Sequence, residues 1–133
     1  MRTLASKGVV FACAASAGAH AGLAPSHLQS EPRMGVAFVV AVVLLLATGL
    51  LAALRPADVR VASAAALLFV GLIAAYIISR TTGIPVLQSD SESLDAVGVA
   101  TNVVEAFGFA SALLLTQPGR HHIGRPVPSE VSR

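Results

Sequence analysis

The chain has 133 residues, 55% of them hydrophobic and only 12% charged, with a mean hydropathy of +0.77. That balance excludes an ordinary soluble domain, and a net charge of +2 spread along the chain gives no basic stripe for a nucleic-acid partner. The single cysteine, Cys13, excludes an internal disulfide and any CxxC zinc or redox arrangement; it reads as a small buried hydrophobe.

Four apolar runs, at 8–24, 35–54, 61–79 and 96–116, each approach the about 20 residues needed to cross about 30 Å of hydrocarbon. A closed β-barrel needs alternating apolar and polar residues, whereas "VAFVVAVVLLLATGLLAAL" is apolar all round. The expected architecture is an all-α, polytopic four-helix membrane bundle over residues 1–116, running up-down-up-down.

In the first run, Cys13, Ser16, His20 and Ala24 share a face. Beside it Ala14, Gly18 and Gly22 form a small-xxx-small row that predicts a close approach to the fourth helix. Pro25 is expected to end this helix in a turn, followed by an outer loop, "PSHLQS". The parts "MRTLASKG", "VVFACAASAG" and "AHA" also match a cleavable signal peptide, a competing expectation in which residues 1–21 are removed and three spans remain.

Ser30 is expected to cap the second helix, with Pro32 in its first turn, and no charged group follows until Arg55 apart from Arg33. This helix is expected to be the most lipid-exposed. The short turn "RPADVR" makes helices two and three neighbours. Helix three ends in Tyr76, Ser79 and Arg80, an amphipathic ring and a cation suited to an interface. The loop "TTGIPVLQSDSESLD" is polar, with Gly83 and Pro85 as its turn residues, and Asp95 or Ser93 caps helix four. Residues 117–133, which include His121 and His122, read as a disordered cytoplasmic tail.

Charge sets the orientation. With four spans, Arg2, Lys7, Arg55, Arg60, Arg120, Arg125 and Arg133 fall on one side, leaving Arg33 and Arg80 on the other. Basic residues stay in the cytoplasm, so both termini are expected there, in a bacterial inner membrane, while Glu31, Asp90, Glu92 and Asp95 lie outside.

At 100° per residue, Asp95, Gly98, Thr101, Asn102, Glu105, Ala106, Phe109, Ala112 and Thr116 share one face of helix four, opposite Val103, Val104, Phe107 and Leu114. Glu105 therefore points into the bundle, about 14 Å below the outer end. An ionisable group at that depth costs at least a few kcal/mol unless it is paired, hydrated or protonated, so function is its default explanation. Arg80 is expected either to snorkel and pair with Asp90, Glu92 or Asp95, or to act as counter-ion to Glu105 or to an anionic ligand. Arg80, Asn102 and Glu105 thus form a candidate polar cluster.

His20 and His27 are candidate metal ligands. On a straight helix they stand about 10 Å apart, too far to share an ion, but a turn at Pro25 would fold one over the other and a carboxylate could complete a zinc, copper or iron site. A proton-responsive His and Glu pair and purely structural hydrogen bonding are the alternatives. No GxSxG, HExxH, P-loop or GxGxxG occurs, so an enzyme is not expected.

The segments "HAGLAPSHL", "SRTTGIP" and "SESLDAVGVAT", together with Glu105, resemble a group of small, mostly actinobacterial, four-helix membrane proteins of unknown function. The similarity covers most of residues 20–105. It implies roles for His20, Pro25, His27, Arg80, Thr81, Gly83, Pro85 and Glu105, with Ser26 standing where that group usually has an acidic residue.

The expected function is a small membrane protein whose outer polar cluster binds a metal cation or proton, as an accessory unit of a larger assembly. The alternatives are a structural or partner-binding protein whose polar cluster only locks the helices, and an oligomeric small-solute transporter. Expected partners are the lipid bilayer and a second copy or another membrane protein.

Overall fold

A computed structural model describes residues 2–56, 58–84, 87 and 95–117, and in them the chain is all-α. The helices are α1 (Arg2–Ser30), α2 (Pro32–Leu54), α3 (Val59–Thr81) and α4 (Ala96–Thr116). Each is long and apolar enough to cross a membrane. The expected turn residue Pro85, the acids Asp90 and Glu92, and the tail from Pro118 onward lie outside the described residues.

Large apolar side chains point outward from every helix: Leu4, Phe11, Leu54, Leu67 and Val103 are 62% to 75% exposed. In water such a surface would be an aggregation hazard; in lipid it is simply solvated. Inside, Val9, Ala12, Cys13, Leu45, Ala65, Phe69 and Ala112 form a core built mostly of small residues around one aromatic ring. The helices form a ring in which α1 packs on α2 and α4, α3 packs on α4, and the α2–α3 seam is the thinnest. More of α1 than of the other three is buried, and α2 is no more exposed than α3 or α4.

Three expectations about local structure need correction. First, α1 does not end at Pro25 but runs through it to Ser30. Proline deletes one helical N–H and crowds the preceding turn, but the helix beyond it is held by side chains that donate back to its own carbonyls. Ser26 Oγ donates to Leu23 O at 2.8 Å, His27 Nδ1 to Leu23 O at 3.0 Å, and Ser30 Oγ to Ser26 O at 3.1 Å. Second, Ser30 belongs to α1, and Glu31 occupies the N-cap position of α2 without a side-chain bond, while Pro32 sits in the first turn as expected. Third, Ala14, Gly18 and Gly22 face outward, and a Cβ added to either glycine would meet nothing within 4 Å.

Helices α1 and α4 are nevertheless neighbours, through different small residues. A Cβ on Gly8 would lie 2.6 Å from Ser111 Oγ, and one on Gly108 would lie 2.5 Å from Phe69 Cζ and 2.6 Å from Ala12 Cβ. Gly108 is thus where α1, α3 and α4 meet. At the helix ends, the Arg2 guanidinium donates to Leu115 O at 2.9 Å, supplying a cation and a donor to the free carbonyls at the α4 C-terminus. Ser6 Oγ donates to Ala52 O near the end of α2 at 3.4 Å.

The remaining caps follow side-chain chemistry. Asp58 accepts from the Arg60 N–H at 2.8 Å to start α3, and Asp95 accepts from the Gly98 N–H at 2.7 Å to start α4. Gly83, one residue past the Thr82 C-cap, takes φ 71° and lets the chain leave α3 in the left-handed conformation. Gly83→Ala is expected to lower stability by about 1 kcal/mol, measured by unfolding in mixed micelles, because a Cβ strains that conformation.

Candidate functional site

A cavity of about 290 Å³ lies among all four helices at the end where α3 finishes and α4 starts, and His20, His27, Arg80, Asn102 and Glu105 all line it. Helix α1 supplies His20, Leu23 and His27; α2 supplies Met34, Phe38 and Ala41; α3 supplies Leu72, Tyr76 and Arg80; and α4 supplies Asp95, Gly98, Thr101, Asn102 and Glu105. Its walls are mainly apolar, with a few polar groups, the usual make-up of a small-molecule pocket.

Glu105 is 1% exposed, and Ser16 Oγ donates to its Oε1 at 2.7 Å across the α1–α4 seam. Among the described residues its Oε2 has no hydrogen-bond partner. The α4 face expected to turn inward does so at Gly98, Glu105 and Ala112, but Ala106 is exposed, and Gly108, Ser111 and Leu115 are buried instead. The buried stripe is rotated because α4 must fit between α1 and α3, whose tightest contact is at Gly108.

The polar side chains around Glu105 share a pattern. His20 Nδ1 lies 2.9 Å from Ser16 O, and because a carbonyl only accepts, that nitrogen carries the proton and Nε2 of the neutral ring is an acceptor. His27 Nδ1 likewise donates to Leu23 O, at 3.0 Å. Asn102 Nδ2 donates to Gly98 O at 3.0 Å, which leaves its Oδ1 as acceptor, and Thr101 Oγ1 donates to Val97 O at 2.8 Å. In each case the donor is turned back to a carbonyl one helical turn earlier, as expected where water is scarce.

Phe38 of α2 meets both imidazoles edge-on, with ring centroids 5.4 Å from His20 and 4.6 Å from His27. Since α1 is a continuous helix, the two imidazoles stay two turns apart, about 10 Å along the axis. The fold-back that would let them chelate one ion is not formed, which corrects the role assigned to Pro25 as a turn. No group of three or more His, Cys, Asp or Glu able to hold a metal ion occurs among the described residues.

At the other end of the cavity, Arg80 pairs with Asp95 at 2.6 Å and lies over the Tyr76 ring, 4.8 Å from its centroid. Of the acids considered as partners for Arg80, Asp95 is thus engaged. Asp95→Asn keeps the cap but loses the ion pair, and is expected to cost under about 1 kcal/mol because the carboxylate is half exposed. Asp95→Ala loses both, and is expected to cost about 1 kcal/mol more in the same unfolding measurement.

Ser16, Phe38 and Tyr76 were not expected in the site. Two of them left a trace in the sequence: Ser16 stands one turn before His20 on the same face, and Phe38 is the one aromatic residue of α2. The fold and its cavity define a class, a four-helix bundle of membrane-spanning length with a mainly apolar pocket, bearing a few polar groups, toward one end. Beyond that class, comparison with known protein families, with characterised proteins and with solved structures finds no match.

Proposed function

We propose that the protein is a multi-pass protein of a bacterial cytoplasmic membrane that binds a cation or a proton at Glu105. Its helices run up-down-up-down with both termini in the cytoplasm. Support for the topology comes from helix ends that meet, Arg2 with Leu115 and Arg80 with Asp95, and from basic residues concentrated on the terminal side. In this scheme α1 is retained rather than cleaved, because it provides Ser16, His20 and the most buried surface of the bundle.

One observation carries the proposal: a carboxylate buried at membrane depth lines a cavity with one oxygen bonded and the other open to an occupant. A purely structural lock has one specific contact in its favour, the Ser16–Glu105 bond between α1 and α4. That role could be met by a neutral amide, whereas an ionisable acid carries a desolvation penalty that a bound proton or cation offsets. Zinc, copper or iron shared by His20 and His27 has less support, given their separation along α1. Metal analysis of the purified protein and of a His20→Ala, His27→Ala double variant is expected to give equal contents.

Carbodiimides modify protonated carboxylic acids in apolar surroundings, so they test Glu105 directly. In native membranes Glu105 is expected to be labelled, with labelling that falls as the buffer is made alkaline or as Na⁺, K⁺ or Zn²⁺ is added at constant pH. A Glu105 that stays unlabelled from mildly acid to mildly alkaline buffer is sealed into the helix contact, and overturns the proposal.

A further inference from the structure

We propose that the cavity takes a primary ammonium group carrying a short apolar chain, in preference to a bare metal ion or a quaternary ammonium. This assignment rests on cation binding at Glu105 and adds which kind of cation fits. The groups around the carboxylate include three acceptors, Glu105 Oε2, Asn102 Oδ1 and His20 Nε2; the His20 donor is spent on Ser16 O, and one of the two Asn102 N–H donors on Gly98 O. The residues that bear these acceptors line the one cavity from two helices. Asn102 and Glu105 are three residues apart on α4, hence neighbours on one face, and Ser16 joins Glu105 to the turn that bears His20.

A primary ammonium has three N–H donors and one positive charge. Three acceptors, one of them the carboxylate oxygen, match it in both respects. A quaternary ammonium matches the charge but offers no donor, leaving the acceptors unsatisfied in a low-dielectric site. A divalent ion would keep an excess positive charge against a single carboxylate, with no group of three ligating side chains among the described residues. An alcohol offers one donor and no charge.

The apolar walls account for the rest of the occupant. From Glu105 to Asp95 the cavity follows α4 for about 15 Å, with Leu23, Phe38 and Leu72 lining the space between. An ammonium at Glu105 therefore lays its chain along these side chains toward the Arg80–Asp95 ion pair.

The test is calorimetric titration of the full chain in lipid nanodiscs with hexylammonium, hexyltrimethylammonium and hexanol, using Glu105→Gln nanodiscs as the blank for partition into lipid. Hexylammonium is expected to bind at least about ten-fold more tightly than either analogue, the loss of one good charge-assisted hydrogen bond corresponding to about that factor. Asn102→Leu should weaken hexylammonium and leave hexyltrimethylammonium unchanged. The ranking of probes on the unaltered protein does not depend on any variant folding. Equal affinity for both ammonium ions overturns the donor match while leaving cation binding intact. No heat from any probe, with carbodiimide labelling of Glu105 still blocked by Na⁺, likewise overturns the ammonium assignment alone. If labelling is insensitive to ions and pH as well, both proposals fall.

Discussion

Gly108→Val is expected to be among the most damaging single changes in the fold, lowering stability by about 3 kcal/mol or more and yielding little monodisperse protein. Helices already surrounded by lipid gain little from leaving it, so they associate through close packing of small residues. Gly108 is where that packing is tightest between α4 and its neighbours, since a Cβ there would stand 2.5 Å from the Phe69 ring and 2.6 Å from Ala12 Cβ. Neither neighbour can give way easily. Phe69 and Ala12 are both fully buried, and Ala12 has no rotamer to change. Valine adds two further methyl groups, so α4 must move away from α1 and α3, and the Ser16–Glu105 bond one turn away stretches with it. Ala110→Val is the control: it adds a similar side chain to an exposed position two residues on and should be nearly silent in mixed-micelle unfolding. If the two variants unfold alike, Gly108 is not the close contact.

This packing rule explains which parts of the architecture were legible in the sequence. Solubility in lipid is a property of a segment by itself, so four apolar runs announced four helices of spanning length. Capping chemistry is also local, and Asp95 could be placed at the start of α4 from its position before the apolar run. Contact between helices is not local. The row Ala14, Gly18 and Gly22 has the spacing of a close-packing face, yet it faces outward, while Gly8 and Gly108 lie in the seam. Spacing identifies a surface that permits close approach; the partner's own small residues decide whether it is used.

The site divides in the same way. Glu105 could be aimed inward because the opposite face of α4 is covered with Val and Phe, and Val103 and Phe107 are indeed exposed. Its hydrogen-bond donor could not be named, since Ser16 is 89 residues distant in sequence and several hydroxyls shared the right depth. Pro25 misled for a definite reason. An interior proline leaves one carbonyl, that of Ala21, without its helical donor, and beyond it Ser26, His27 and Ser30 add bonds to Leu23 O and Ser26 O that favour continuing the helix. With the helix intact, His27 lies beyond Phe38 toward the mouth instead of folding over His20.

Glu105→Gln should separate the two roles of the buried acid. The amide oxygen still accepts from Ser16, so the α1–α4 bond survives, and removal of an ionisable group from membrane depth removes its desolvation penalty. Stability should therefore stay the same or rise slightly. Binding of a monovalent cation should fall by at least about 30-fold, the lower end of what is lost when one partner of a buried charge pair is removed. Ser16→Ala should do the reverse, lowering stability by about 1 kcal/mol while leaving a carboxylate to bind the cation. In a double-mutant cycle on unfolding, Ser16→Ala with Glu105→Leu should show a coupling of about 1 kcal/mol, within the range of interhelical hydrogen bonds in lipid. Ser16→Ala with Glu105→Gln completes the set. A helix lock predicts that stability and ligand binding fail together in every variant, whereas an acid held for its charge predicts that Gln keeps the bundle and loses the ligand.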